Sequence, residues 1–302
     1  MRVPSALPIV ITTLLLARDT AAQTIVPHAE PTPNCDACVE WNAPREPFRI
    51  FGNTYWVGTD GLGAILVTSD EGHILIDGGL AESARPIAES IQALGFRLGD
   101  VRLILNSHAH YDHAGGIAAL QQASGASVAA SAPSAVVLET GRSGPDDPQY
   151  GLLVPIAPVR DVRVITDGET LHVGPLNITA RFTPGHTRGG TSWSWQSCED
   201  GRCLDMVYAD SQTPVSADDF LFTANDTYPS VIEDFRRSHE RLSSMACDVV
   251  LTPHPGASTL WQRIGDTVFT SRQGSFEGEI LEINQLTLRI DRVDDVLKTA
   301  SV

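Results

Sequence analysis

Apolar positions along the chain fall into short runs broken by glycine-rich turns, and their spacing predicts strands alternating with helices. Residues 48–58, 63–69 and 73–77 read as strands, punctuated by Gly, Asp-Gly and Glu-Gly turns. Residues 81–94 then show helical periodicity that stops at Gly95. Residues 101–105 form a β-branched and apolar run, the mark of a buried strand, which delivers the chain into Asn106-Ser-His-Ala-His-Tyr-Asp-His113. Next come a helix over 116–122, a strand over 126–130 and a short helix over 133–141. The polar, Gly- and Pro-rich stretch 141–150 lacks periodicity and reads as a surface loop. A second half repeats the rhythm with strands at 162–166, 170–173, 176–182, 192–196 and 205–208. A helix over 230–244 and a strand over 248–252 follow, the latter running into Pro253-His254-Pro255. Two comparable halves of this kind predict an α/β fold in which two β-sheets pack face to face with helices on the outside, an αβ/βα sandwich. Nothing in the pattern suggests heptads or an internal linker, so one domain is expected.

The N-terminus departs from this rhythm. Arg2 precedes an apolar run from Leu7 to Ala17, and small residues follow at Thr20, Ala21 and Ala22, the layout of a cleavable secretory signal over 1–22. The alternative is a buried or disordered N-terminal segment. The apolar run is too short for a bilayer anchor, so a mature domain over 23–302 with no membrane attachment is expected. The 302-residue chain is 42% hydrophobic, enough for a sizeable core, and carries a formal charge of −16. Loss of Arg2, Arg18 and Asp19 with the signal makes the balance one unit more negative. Such a charge disfavours nucleic acid and anionic membrane surfaces as partners.

Export changes how the cysteines are read. Cys198 and Cys203 bracket Glu-Asp-Gly-Arg between two strand-like runs, which predicts a disulfide across a hairpin loop. Cys35 and Cys38 sit in a tight Cys-x-x-Cys segment, and both a bridge and free or differently paired thiols stay open for them. Cys247 makes the count odd.

The candidate chemistry lies where strands end. His108, His110, Asp112 and His113 fall within six residues. A single histidine is more often a hydrogen-bonded core or surface group, but four donors of these types at this density point to metal. Alternate side chains of an extended segment share a face, so His108 and His110 can reach one ion while the following turn swings Asp112 and His113 toward another. Imidazole and carboxylate suit Zn²⁺ at ~2.0–2.2 Å. Further donors are needed downstream, and His186 in Thr183-Pro-Gly-His-Thr187 and His254 in Thr252-Pro-His-Pro255 supply them.

With these elements the sequence resembles the metallo-β-lactamase superfamily, whose His-x-His-x-Asp-His motif stands here as His108 to His113; the likeness runs from about residue 48 to 265. The resemblance implies two Zn²⁺ ions, the first on His108, His110 and His186 and the second on Asp112, His113 and His254. It gives Asp112 the further role of orienting the hydroxide shared between them. The segment Tyr208-Ala-Asp-Ser-Gln-Thr213 and the run Gly185-His-Thr-Arg-Gly-Gly-Thr-Ser-Trp193 are similar to subclass B3. That likeness implies that Ser211 and Thr213 bind a substrate carboxylate and that Asp210 orients a metal ligand, where many relatives with other substrates have a metal-bridging Asp. The alternative for Ser211 and Thr213 is that they only satisfy loop backbone. Gln149 and Tyr150 are candidates for the substrate groove, or else solvent-facing loop residues. The implied activity is hydrolysis of penicillins, cephalosporins or carbapenems by a monomeric periplasmic enzyme that confers antibiotic resistance. A glyoxalase II-like thioesterase or a lactonase is the alternative enzyme, and a zinc-retaining protein without turnover is the alternative class. Two departures stand out: no cysteine follows Cys247 to bridge it to a C-terminal helix, and Asp60 stands where some relatives have a cysteine. The tail from Asp266 is charged and β-rich rather than helical in pattern.

Overall fold

The computed structural model describes residues 26, 28–33 and 35–264; the expected signal segment and the tail beyond Ile264 lie outside them. After a short helix α1 (Cys38–Trp41), a seven-stranded sheet forms from β1 (Phe48–Phe51), β2 (Thr54–Trp56), β3 (Ile65–Val67), β4 (His73–Ile76), β5 (Val101–Leu105), β6 (Ser127–Ser131) and β7 (Val162–Ile165), in that order. Neighbours are antiparallel from β1 to β4 and parallel from β4 to β7. The parallel half needs crossovers, and these are α2 (Ala84–Ala93), α3 (Tyr111–Ala114) with α4 (Ile117–Ser124), and α5 (Ala132–Thr140). The second sheet runs β12-β11-β10-β9-β8. Its strands are β8 (Thr170–Val173), β9 (Leu176–Phe182), β10 (Thr191–Glu199), β11 (Arg202–Tyr208) and β12 (Val249–Leu251). Helix α6 (Val231–Ser244) makes the parallel crossover from β11 to β12, and α7 (Leu260–Ile264) follows.

Side chains that alternate across each strand build three layers of core. Ile65, Val67, Ile74, Ile76, Leu103 and Leu105 point inward to meet Ile178, Ala180, Trp193, Trp195, Met206 and Leu251 of the second sheet. The intervening Leu66, Leu75 and Ile104 face outward, where Ile87 and Ile91 of α2 and Ile117 and Leu120 of α4 cover them. On the other outer face, Val207 and Val250 pack beneath Leu242 of α6. Strands buried on both faces read as unbroken apolar runs, which is why β4 and β5 show so plainly in the sequence. The αβ/βα sandwich is therefore the observed fold.

Two expectations change and one pairing left open is decided. Residues 48–58 are a hairpin rather than one strand: Gly52 takes a φ of 52° and the chain reverses, pairing Phe48 with Trp56. Cys35 and Cys38 are bridged to each other. The stretch 141–150 is not simply surface, because Asp147 is buried. The Cys198–Cys203 bridge forms as expected, between directly paired residues of the β10–β11 hairpin, and Cys247 is free. Asp60 faces Arg45 at 3.1 Å.

Candidate metal centre

All the sequence-selected ligands gather at one end of the sandwich, beyond the C-terminal ends of β5, β9 and β12. Backbone contacts that tolerate no side chain bring the loops together. A Cβ on Gly116 would lie 2.3 Å from the Gly78 carbonyl oxygen, so only glycine lets the turn after β4 approach the start of α4. There Gly78 N–H donates to the His113 carbonyl at 2.8 Å. Across the sandwich, Gly63 N–H donates to the Pro253 carbonyl at 2.6 Å, Thr191 N–H to Ser107 at 2.8 Å and Trp193 Nε1 to Asn106 at 3.2 Å.

Asp77 organises the floor. This fully buried residue, with a φ of 62°, accepts from Ser107 N–H at 2.7 Å, Ser107 Oγ at 2.6 Å and the Tyr208 hydroxyl at 2.9 Å. Burial pushes its carboxyl above the ordinary range, an effect opposed by His113 and these donors. Through it the last residue of β11 and the segment leading to His108 share one anchor.

Each first-group histidine has one ring nitrogen fixed by the protein, which selects the other as donor. His108 gives its Nδ1 proton to Asp210 Oδ1 at 2.7 Å, and its Nε2 is buried with no hydrogen-bond partner. His186 gives its Nδ1 proton to the Thr213 carbonyl at 2.7 Å. His110 is held the opposite way round: Nε2 donates to Asp147 Oδ2 at 2.9 Å, leaving Nδ1 toward the site. Donor atoms of His108, His110 and His186 lie within 4.8 Å of one another, as do those of His108, Asp112 and His113. Asp112 Oδ2 sits 3.2 Å from both His113 Nε2 and His254 Nε2. That matches the spacing of roughly 3.3 Å between neighbouring ligands of a tetrahedral ion with ~2.0–2.1 Å bonds.

The electrostatics fit a cation. Burial, reinforced by His113, His110 and His186, holds His108 well below the ordinary imidazole value; burial and His110 lower His186 to about 3. Both rings are thus neutral, with lone pairs to share. Burial opposes ionisation of Asp112, but His113 and His254 outweigh it and keep its carboxyl well below the usual range. Burial drives Asp210 well above that range, a cost that a cation on the far side of the His108 ring offsets. An orphaned imidazole nitrogen, neutral rings and an ionised carboxylate together suit Zn²⁺.

The remaining sequence-selected residues are also placed. Gln149 carries its amide nitrogen to 3.5 Å from His110 Nδ1 and 3.4 Å from His186 Nε2, while Tyr150 is exposed. Ser211 is half-buried beside Asp210; Thr213 is exposed and uses its carbonyl, not its hydroxyl, to hold His186. Trp41 of α1 lies 5.2 Å from the His254 ring, on the most open side of the centre, where His254 is one-third exposed. Asp147 was missed in the sequence, although its Oδ1 accepts from Gln149 N–H at 2.9 Å in an Asx turn that Asp-Pro signals. A separate cleft of about 1620 Å³, lined by residues such as Glu71, Arg102, Arg181 and Arg241, includes none of these groups.

A buried imidazole and carboxylate donor set at the strand ends of an αβ/βα sandwich defines a metal-binding hydrolase. The family model for the metallo-beta-lactamase superfamily matches residues 63–254, and the chain belongs to that superfamily. Among solved structures, it is similar to the Rm3 metallo-beta-lactamase, with 49% identity over 88% of this chain and 98% of that one and a TM-score of 0.84. It is also similar to MEM-A1, a subclass B3 metallo-beta-lactamase from a soil metagenome library, at 45% identity over 86% and 98% of the two chains with a TM-score of 0.80. Among curated proteins it matches the hydroxyacylglutathione hydrolase of Bradyrhizobium sp. (strain ORS 278), 36% identical over 129 residues, or 43% of this chain. The chain spans about two fifths of the length of the curated relatives it matches, 42% and 40%.

Proposed function

We propose that this chain hydrolyses the amide bond of β-lactam rings with two zinc ions, one held by His108, His110 and His186 and the other by Asp112, His113 and His254. The observation that carries the reading is the direction of Asp210. Its Oδ1 accepts the Nδ1 proton of His108, on the side of the ring away from the ligand nitrogen, which makes Asp210 an orienter of that ligand rather than the carboxylate that bridges two ions in many relatives with other substrates. By the subclass B3 pattern Ser211 takes the position of the bridging residue, a reading that the likeness to MEM-A1 supports.

When bound, zinc lowers the pKa of water from ~15.7 to about 7 and polarises a carbonyl oxygen, so no side-chain nucleophile is needed. The protein supplies the rest. Asp112 remains ionised between two imidazoles and can orient the attacking water and hold its proton. Asp210, Thr213 and Asp147 fix which nitrogen of each first-group histidine faces inward. Ser211 and the Thr213 hydroxyl, with the Gln149 amide, line the approach for a substrate carboxylate. Penicillins, cephalosporins and carbapenems all carry such a carboxylate beside the ring. Export through residues 1–22 to the periplasm would bring enzyme and antibiotic together and confer resistance.

The likeness to a hydroxyacylglutathione hydrolase favours one second reading, thioester hydrolysis on the same centre. Assaying the zinc-loaded chain against a penicillin, a carbapenem and an S-acylglutathione separates the two. Ring opening faster than thioester cleavage is expected; cleavage of the thioester alone would replace the proposal with the second reading.

A further inference from the structure

His110 is the odd member of its group. His108 and His186 are both fixed through Nδ1 and present Nε2, whereas His110 is fixed through Nε2 and presents Nδ1. An imidazole can turn over about its two-fold χ2 preference, and a neutral ring can carry its proton on either nitrogen. Something must therefore choose the orientation and the tautomer, and the carboxylate that accepts from the ring's Nε2 is Asp147. We propose that Asp147 is a positioning residue for the first metal site, committing Nδ1 of His110 as the donor and fastening the 141–150 loop over that site with the same carboxylate. The inference rests on the zinc-binding half of the proposed function and is independent of the substrate.

Both halves of the role are visible. Asp147 Oδ2 accepts from His110 Nε2 at 2.9 Å across 37 residues of sequence, and Oδ1 accepts from Gln149 N–H at 2.9 Å. The backbone around it is closed by Asp147 N–H to Gly144 at 3.0 Å, Tyr150 N–H to Asp147 at 3.0 Å and Ala217 N–H to Pro148 at 2.8 Å, the last from the loop after β11. With Asp147 so held, the Gln149 amide arrives within 3.5 Å of the inward nitrogens of His110 and His186. One buried carboxylate thus sets a ligand and brings the Gln149 amide to the same place; a shift of this loop alters both. Outer partners of metal-bound histidines are worth about 10–100-fold in metal affinity.

The test reads metal binding rather than turnover. Zinc affinities of the full chain and of Asp147→Ala, Asp147→Asn and Asp146→Asn are measured by competition with a chromophoric chelator, and Co²⁺-substituted samples are compared by visible absorption. Asp147→Ala is expected to lose about 10–100-fold in affinity for one ion and to change the cobalt spectrum. Asp147→Asn keeps an acceptor for His110 and should fall between. Asp146→Asn, on the neighbouring carboxylate that faces Arg188 at 3.6 Å, should match the parent chain. Wild-type affinity and spectrum in Asp147→Ala would overturn the proposal; should that variant fail to fold, parent-like binding by Asp147→Asn together with an unchanged spectrum would do so. A parent chain that binds zinc but opens no β-lactam would sink the substrate reading alone and leave this test standing.

Discussion

Replacing Asp77 probes the anchor beneath the metal centre. Its carboxylate accepts from Ser107 N–H, Ser107 Oγ, the Tyr208 hydroxyl and, at 3.3 Å, Asn106 Nδ2. These donors differ in what they lose. Tyr208 can turn toward the Gly63 carbonyl at 3.3 Å, and Asn106 Nδ2 keeps the His108 carbonyl at 2.8 Å. The Ser107 hydroxyl can turn toward the Asp210 carboxylate, whereas Ser107 N–H has only Asp77. One orphaned buried donor costs about 1–3 kcal/mol. Relief of the carboxylate's own burial returns part of this, since burial already pushes its pKa upward. Alanine adds a backbone cost of about 1 kcal/mol, because the φ of 62° suits Asp or Asn better. Asp77→Ala should therefore destabilise by about 2–3 kcal/mol and Asp77→Asn, which keeps one acceptor and the backbone preference, by about 1 kcal/mol. Urea unfolding of both variants, each loaded with zinc and stripped of it, measures the differences. Loss below about 0.5 kcal/mol in Asp77→Ala, within the range of surface substitutions, would refute this account of the floor.

Two further outcomes follow from the geometry. His186 is lowered to about 3 and His108 is also depressed, so the folded metal-free chain resists protons that the unfolded chain takes up near pH 6.5. Stability is then full above about 6.5 and falls as pH drops toward 3; His186→Asn should flatten the slope in thermal melts of stripped protein, and an unchanged slope would count against buried neutral rings. Opening the Cys198–Cys203 bridge by Cys198→Ser with Cys203→Ser should cost about 2 kcal/mol, because the closed loop is short, and should leave zinc stoichiometry as it was. Loss of zinc on opening that distant hairpin would show that the centre depends on it.

What the sequence discloses depends on how local the physics is. Strand β5 and the ligand cluster after it are legible because a buried parallel strand is an uninterrupted apolar run and because four donors in six residues have no ordinary packing role. The Cys198–Cys203 bridge is legible because hairpin pairing sets the two residues opposite each other. By contrast, the turn at Gly52 hides inside a run of strand-forming residues, and the short α7 has too few turns to show a period. Asp147 is hidden for another reason: its partner His110 is 37 residues away, and only the folded loop reveals that a polar stretch turns inward. Local signals place the ligands, and tertiary contacts choose which of their atoms point at the metal.

The central claim is most directly tested by following β-lactam ring absorbance with the zinc-loaded chain, its chelator-stripped form restored with zinc, and Asp112→Ala. The account predicts turnover that chelation abolishes and zinc restores, and a loss of about 10²–10⁴-fold in kcat for the variant. A folded, zinc-loaded chain that leaves both a penicillin and a carbapenem intact, or an Asp112→Ala variant as active as its parent, would contradict it.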